Sequence, residues 1–405
     1  MMVAQPEASS DARATLLLTA PLGTGGANGP KPLASAEYAA LATQLHKRGS
    51  RPGDLLSSDA RALTREATPP TVEPERVEAL LDRGARLSLA LSRWTSAGIW
   101  IASRADSFYP THYRKLPRIS APPIVYGIGP IALVDRGGLA VVGSRAPEPS
   151  AAAYATEAGR WGARAGIQIV SGAARGVDEL AMLGALDDGG TALGVVGESL
   201  IKVASRRGFR EAIVADRLTL LSSFDPDAGF SVAIAMARNR WVYALADRAL
   251  IVAYREGSGG TWAGALVGLK SGMRVYVRTG DSERPGNDAL VTRGAIPAPG
   301  DLDDLWRDLH QSSVATEASP PVTISNETVD ARVATDLYDD VVPHVLRLLE
   351  RPLSAAAIAS ALELTKVQTT AWLIRLVEEG RIRKSGSTFQ AVASDGEPGE
   401  LLLMS

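Results

Sequence analysis

Three short apolar runs, each ending in a polar loop that carries glycine and each followed by an apolar helical pattern, constrain this chain more than any other feature. Leu139 to Val142 ends in Gly143-Ser144-Arg145, and Ile167 to Val170 ends in Ser171-Gly172, with Arg175-Gly176 close behind. Ala249 to Ala253 leads to Gly259-Gly260-Thr261. Continuous apolar strands alternating with helices belong to parallel sheets, because a crossover must carry the chain back before the next strand can start. In an open parallel sheet the carboxyl ends of the strands border one crevice, so these loops are expected to converge. Glycine lets backbone N–H groups come close to a ligand, and Arg offers a bidentate fork for oxyanions. Such a site suits phosphate.

The alternation extends over the middle of the chain. Strands are expected near Leu139–Gly143, Ile167–Ser171, Ala192–Gly197, Leu218–Ser222, Ala249–Tyr254 and Arg274–Arg278, with helical patterns between them. The expected fold class is α/β, an extended Rossmann-like, doubly wound and mostly parallel sheet. The loop after the third strand, GESLIKVASRRG, is longer and more basic, and adds Lys202, Arg206 and Arg207 as accessory phosphate contacts.

The flanks read differently. Residues 1–33, rich in Ala, Gly, Ser and Pro without a period, are expected to form a flexible tail. Residues 34–108 read as short helices in a small module, with Leu80, Leu81, Leu87, Leu91 and Trp94 on the apolar faces. Its Arg48-Gly49 and Arg83-Gly84 turns resemble those of SAM-like or helix-hairpin-helix modules, and a purely structural helical cap is the competing reading. The sheet domain spans 109–310 and a Ser-, Pro- and Thr-rich linker spans 311–335. Residues 336–393 read as three helices and a hairpin around Gly386, the winged-helix pattern, and 394–405 as a tail. There Lys366, Gln368 and Thr369 would lead an exposed third helix and Arg381, Arg383 and Lys384 would lie on the wing. This unit holds seven basic and seven acidic side chains between Asp336 and Val392, so DNA contact and partner docking both stay open.

Composition narrows the function classes. No run of 18 apolar residues exists, which excludes a membrane-spanning helix, and the amino-terminal LLLTA is too short and too close to acidic residues for a signal peptide. The chain is therefore expected in the cytoplasm. The absence of Cys rules out thiolate chemistry and Cys-bound zinc, the four His are scattered, and neither a metal nor a cofactor is expected. Net charge is −2, and Gly138–Gly300 carries 18 Lys and Arg against 16 Asp and Glu, so nucleic-acid contact must come from local clustering of Arg.

VVGSR, IVSGAARGVDELA, RNR, SGGTWAGA and GNDALVTRGA, in that order over about Tyr109 to Ala295, resemble the DNA-processing protein A (DprA, or Smf) family. The resemblance implies a Rossmann-like core that dimerises, binds single-stranded DNA and helps load a RecA-type recombinase during natural transformation, and no enzymatic activity. It places the anion pocket at Gly143, Ser144, Arg145, Ser171, Gly172, Arg175, Gly176, Gly259, Gly260 and Thr261, together with the RNR block Arg238, Asn239 and Arg240. The RNR residues are read either as a phosphate clamp or as an internal brace to Asp178 or Asp247. Asp178 is expected to orient rather than bind, because a carboxylate repels phosphate. Phe224, Phe230 and Trp241 are candidate base-stacking platforms, with core packing as the alternative. The chain departs from the family pattern at Ala181-Met182, where His is usual, and around VVGESLIKVASRRG.

A nucleotide N-glycosidase of the LOG type and a nucleotide sensor are the alternatives. Gly259-Gly260-Thr261 resembles the LOG loop, but Trp262-Ala263-Gly264-Ala265 follows it with no carboxylate, which leaves Glu198 and Glu256 as the substitutes for a general acid.

Overall fold

A computed structural model describes residues 6–22, 29–57, 60–118, 120–229, 232–253, 259–279, 286–298, 302, 342, 345–349, 351–361, 369, 372–373, 376–377, 379, 381–385 and 388–391. The chain divides into two compact units, Met1–Glu317 and Ala318–Ser405.

Among the described residues the first unit opens with the α-helices α1 (Ser10–Thr19), α2 (Ser35–Lys47), α3 (Ala60–Ala67), α4 (Pro74–Leu81) and α5 (Gly84–Ser96), with a single 3-10 turn, Pro52–Leu56, between α2 and α3. Strand β1 (Ile99–Ser103), helix α6 (Thr111–Lys115) and strand β2 (Ile124–Ile128) follow. The alternating region then runs β3 (Leu139–Val142), α7 (Pro149–Arg164), β4 (Ile169–Ser171), α8 (Val177–Asp187), β5 (Ala192–Val195), α9 (Leu200–Ala204), α10 (Arg207–Val214) and β6 (Leu218–Ser222). It continues through α11 (Val232–Ala244), β7 (Arg248–Ile251), α12 (Gly259–Lys270), β8 (Arg274–Arg278), α13 (Gly286–Val291) and β9 (Ile296–Ala298).

All nine strands form one sheet in the order β1-β2-β6-β5-β4-β3-β7-β8-β9. Strands β3 to β9 pair in parallel, whereas β2 pairs antiparallel with both β1 and β6. The protein is therefore a mixed α/β, mostly parallel Rossmann-like structure, and all six expected strands are present. Alternate residues of each central strand enter different cores, as a two-residue period demands. Leu139 and Val141 of β3 join Ile169, Ala192, Leu218 and Leu250 on one face. Ala140 and Val142 join Val170, Leu193, Leu221 and Ile251 on the other, under α11 and α12.

Helices α7 and α8 cover the first face through small residues. A Cβ on Gly159 would fall on the Ala181 carbonyl, and one on Gly184 on the Thr156 carbonyl. The two helix backbones are thus in close contact that only glycine permits.

The amino-terminal segment departs from expectation. In place of a flexible tail, Ser10–Thr19 is a helix whose start is capped by Ser9, its hydroxyl accepting from the Ala12 N–H at 3.1 Å. Leu16 and Leu17 enter the sheet's core and Leu18 enters the core of the helical module. The consecutive leucines point to two cores at once, which hid their helical period. Nor is the helical module a separate body. Leu87 and Trp94 of α5 pack in the same core as Ile99 and Tyr126 of the sheet, and the Trp94 and Tyr126 rings meet edge to face at 5.1 Å. Strand β1 was hidden because IWIAS is buried at every position, without the alternation that marks a strand.

In the second unit β10 (Leu353–Ser354), α14 (Ala355–Ala361), β11 (Ile382–Ser385) and β12 (Thr388–Ala391) are described, with sheet order β10-β12-β11. Val342, Val345, Leu349, Ile358, Leu373, Leu376, Ile382 and Phe389 form its core. The expected hairpin is present, with Ser385 opposite Thr388 and with Arg381 and Arg383 exposed. Thr369 is not an exposed leading residue: only 1% of its surface is accessible. Lys366 and Gln368, the linker 311–335 and the tail 394–405 lie outside the described residues.

Candidate functional site

The sheet order creates the site. From β3 the chain steps toward β4, β5 and β6, whereas from β7, the other neighbour of β3, it steps toward β8 and β9. The connections leave β3 and β7 in opposite directions, and a crevice opens between their carboxyl ends. Register puts Val142 beside Ile251, and the Val252 N–H donates to the Val142 carbonyl at 3.1 Å. Gly143 therefore stands at the mouth of this crevice.

Hydrogen bonds tie the three glycine-bearing loops together there. The Val177 N–H donates to the Ser144 carbonyl at 3.1 Å, which joins the loop after β3 to the start of α8. The Thr261 hydroxyl donates to the Gly143 carbonyl at 3.3 Å, which joins that loop to the first turn of α12. Ser171 is buried and donates its hydroxyl to the Val141 carbonyl at 2.6 Å, so it braces strands and is not available to a ligand. Ser144 accepts from the Ala146 N–H at 3.1 Å. Gly176 has φ +90°, and a Cβ there would strike the Ser144 and Arg145 backbone, so only glycine permits both the conformation and the approach. Ala173 holds φ +51° and is buried, a costly conformation for a residue with a side chain.

The RNR block divides in two. It lies inside α11, where residues two apart face different directions. Arg238 turns inward: it is 4% exposed, and its Nη1 donates to Asp178 Oδ2 at 3.4 Å, while Asp178 Oδ1 accepts from the Gly143 N–H at 3.4 Å. Asp178 is thus the orienter the sequence suggests, linking α11, α8 and the loop after β3. Burial pushes the Asp178 carboxyl above the usual carboxylate range, opposed by the Arg238 guanidinium and the Gly143 N–H. Arg238 Nε is buried without a hydrogen-bond partner. Asn239 lies against the start of α12, its amide where a Cβ on Gly260 would stand. Arg240 points elsewhere, its guanidinium 4.9 Å from the Trp241 ring centre. Arg238 is therefore a buried brace, and Arg240 covers the buried Trp241 ring in a cation–π contact in place of forming the second arm of a clamp. Asp247 takes no part, since it accepts from the Gly138 N–H at 2.8 Å.

Arg145 and Arg175 are exposed on the loops after β3 and β4, and Gly259 and Gly260 open α12, whose first N–H groups supply partial positive charge. Among the accessory residues Lys202 is exposed, and Arg207 is exposed and paired with Glu211 at 3.2 Å. Arg206 is instead engaged by Glu179, Glu198 and the Ala173 carbonyl. Trp241 is buried, with its indole N–H donating to the Ser120 carbonyl at 3.4 Å and its ring 5.4 Å from Phe224, so it packs and offers no stacking surface. Phe230 and Glu256 lie outside the described residues. The roles of Ala173 and Glu179 were not legible in advance, since nothing in their residue types marks them, and Glu198, weighed as a general acid, is a partner of Arg206.

A doubly wound sheet whose switch point is bordered by glycine-rich loops, exposed arginines and a helix start defines a Rossmann-like protein suited to phosphate. The sequence model of the DNA recombination-mediator protein A family matches residues 100–310, just over half of the chain, and the chain belongs to that family. Protein Smf of Escherichia coli (strain K12) is 32% identical over 207 residues, which cover 47% of this chain and 52% of that protein. The chain thus spans about half the length of this curated relative. DNA processing protein A of Streptococcus pneumoniae shares the fold, with a TM-score of 0.56 at 19% identity over 74% of this chain and 98% of that one. DNA processing protein A from Helicobacter pylori, whose structure is described in terms of its single-stranded DNA binding mode, aligns with a TM-score of 0.45 at 23% identity, covering 53% and 98%. No helix among the described residues is long and apolar enough to cross a membrane.

Proposed function

We propose that this protein binds single-stranded DNA by its phosphates at the crevice between β3 and β7, and acts in DNA processing or recombination as a binder without chemistry of its own. The observation that carries this reading is the junction of three glycine-bearing loops at the switch point, with Arg145 and Arg175 exposed on two of them and the start of α12 on the third. Phosphate needs closely approaching N–H donors and charge, and this arrangement supplies both. Membership in the recombination-mediator family supports the same reading. Gly143, Ser144, Gly172, Gly176, Asn239, Gly259, Gly260 and Thr261 shape the site, and Arg145 and Arg175 meet the phosphates.

The finer parts of the proposal are a homodimer, a RecA-type recombinase as partner, a cytoplasmic location and a winged-helix second unit with Arg381 and Arg383 on its wing. The N-glycosidase reading draws no support from Glu198, whose carboxylate accepts from Arg206 at 2.9 Å.

Fluorescence anisotropy of a labelled single-stranded oligonucleotide, against duplex of equal length at two salt concentrations, tests the proposal. Binding that prefers the single strand and weakens steeply with salt is expected. Failure to bind single strands at low salt would refute it, and release of free base from a nucleoside monophosphate would favour the hydrolase.

A further inference from the structure

One cluster beside the crevice joins the loop after β4, α8 and the loop after β5 through a single side chain. Arg206, between α9 and α10, donates from Nη1 to the Ala173 carbonyl at 3.0 Å and to Glu179 Oε1 of α8 at 3.3 Å. Its Nη2 donates to Glu198 Oε1, on the loop after β5, at 2.9 Å. The side chain is about a quarter exposed, and its Nη1 and one arm of its Nη2 are committed to these three acceptors, which fixes the plane of the guanidinium. Ala173 is the buried residue with φ +51° that follows Gly172 in the loop after β4. A conformation of that kind persists only where its surroundings over-determine it.

The charges matter equally. Glu179 and Glu198 lie beside a region argued to receive phosphate, and Glu198 is close enough to act electrostatically on Arg238 in the crevice wall. With Arg206 in place the cluster carries a net charge of about −1 in round numbers, and without it about −2, at a partly screened site where each charge counts.

We propose that Arg206 is a positioning residue for DNA binding: it holds the loop after β4 in its binding conformation and offsets the two carboxylates beside the bound phosphates, touching no phosphate itself. This rests on the crevice reading given above. It also reassigns Arg206, whose residue type and basic neighbours suggest a direct contact.

The test uses full-length protein and a labelled single-stranded oligonucleotide. Arg206→Gln is expected to weaken binding about tenfold, the scale of one charge left uncompensated at a partly screened site. Glu198→Gln combined with Arg206→Gln restores the charge of the wild-type cluster, and the electrostatic share of the lost affinity is expected to return while the share due to the loop after β4 is not. A phosphate-contacting Arg206 predicts instead that Arg206→Gln flattens the plot of log affinity against log salt by about 0.7, which a positioning residue leaves unchanged. Such flattening overturns the proposal, as does Arg206→Gln binding like wild type. Should Arg206→Gln fold poorly, Glu198→Gln alone decides: binding several-fold tighter is expected from the removed charge, and unchanged or weaker binding overturns the proposal. Wild-type protein that binds no oligonucleotide would instead remove the crevice reading itself, an outcome distinct from all of these.

Discussion

The Arg238 guanidinium occupies the space in which a Cβ on Gly172 would stand. A methyl group there would coincide with Nη1 and crowd Asp178 Oδ2 as well. The glycine that follows β4 is thus required by a buried ion pair passing in front of it, in addition to any approach by a ligand. Three elements depend on this pair, because Asp178 also receives the Gly143 N–H. The crevice has a fixed floor, and its binding groups stand on the rim.

Gly172→Ala is therefore expected to destabilise the protein by about 1–3 kcal/mol, the usual range for overpacking a filled interior. Arg238→Ala, which leaves Asp178 buried and unpaired, is expected to cost about 3–5 kcal/mol. Urea unfolding measures both as a lower midpoint. A Gly172→Ala midpoint equal to wild type would show that Arg238 has room to move.

Much of this was legible in the sequence. The strands and the loops at their ends are local signals, an apolar run followed by glycine, and local signals survive folding. The RNR block was harder, since its meaning depends on a helical phase: once Arg238 and Arg240 fall inside α11, they must face opposite ways. Thr369 failed for the same reason, because a residue near a helix start is exposed or buried according to a phase the sequence does not mark. Strand β1 was concealed by burial at every position and helix α1 by burial of most of its surface, which erases the polar half of an amphipathic pattern. The partners of Arg206 are contacts between separate elements, set by the strand order alone.

Asp225 gives the protein a predictable pH response. Burial in the loop after β6 raises its carboxyl above the ordinary value, and the nearby Asp227 carboxylate adds to this, while the Asp227 N–H and Arg93 oppose it. A raised folded-state value means that the neutral form suits the fold. Its stabilising contribution is fully present below the unfolded value and is lost as pH rises through the folded one. At neutral pH the ionised Asp225 is then a cost. Asp225→Asn, which keeps an oxygen for the Asp227 N–H, is expected to raise stability at pH 7 by up to about 1 kcal/mol, discounted for partial solvation. Below the ordinary carboxylate range the two proteins should unfold alike, and thermal unfolding across pH 3–8 provides the comparison. A variant less stable at pH 7 would mean that the charge is favourable.

Arg145 is exposed on the loop after β3, two residues beyond Gly143 at the crevice mouth. If it meets a phosphate, Arg145→Ala removes one ionic contact whatever the base sequence. The plot of log affinity against log salt should then flatten by about 0.7, the increment for one phosphate on a single strand. Fold should be kept, because the side chain is outside both cores of the sheet. Anisotropy titrations at four salt concentrations read the slope. An unchanged slope with weaker binding would make Arg145 a support for its loop and shift the phosphate contact to Arg175.

Gly260 poses the sharpest test of how the helix start is built. Glycine inside a helix is ordinarily worse than alanine by roughly 0.5–1 kcal/mol, so Gly260→Ala would stabilise α12 if space allowed. Space is taken by Asn239, whose amide nitrogen lies where the new Cβ would be. The substitution is therefore expected to destabilise by about 1–3 kcal/mol, the range for overpacking, against the gain in helix propensity. Asn239→Ala removes the obstacle, and the double variant should recover most of the loss, with the intrinsic preference of the helix for alanine showing again. Such recovery is a coupling between residues in contact, which a double-mutant cycle isolates in denaturant midpoints. Additive losses would mean that Asn239 and Gly260 act independently and that the start of α12 does not depend on the RNR block.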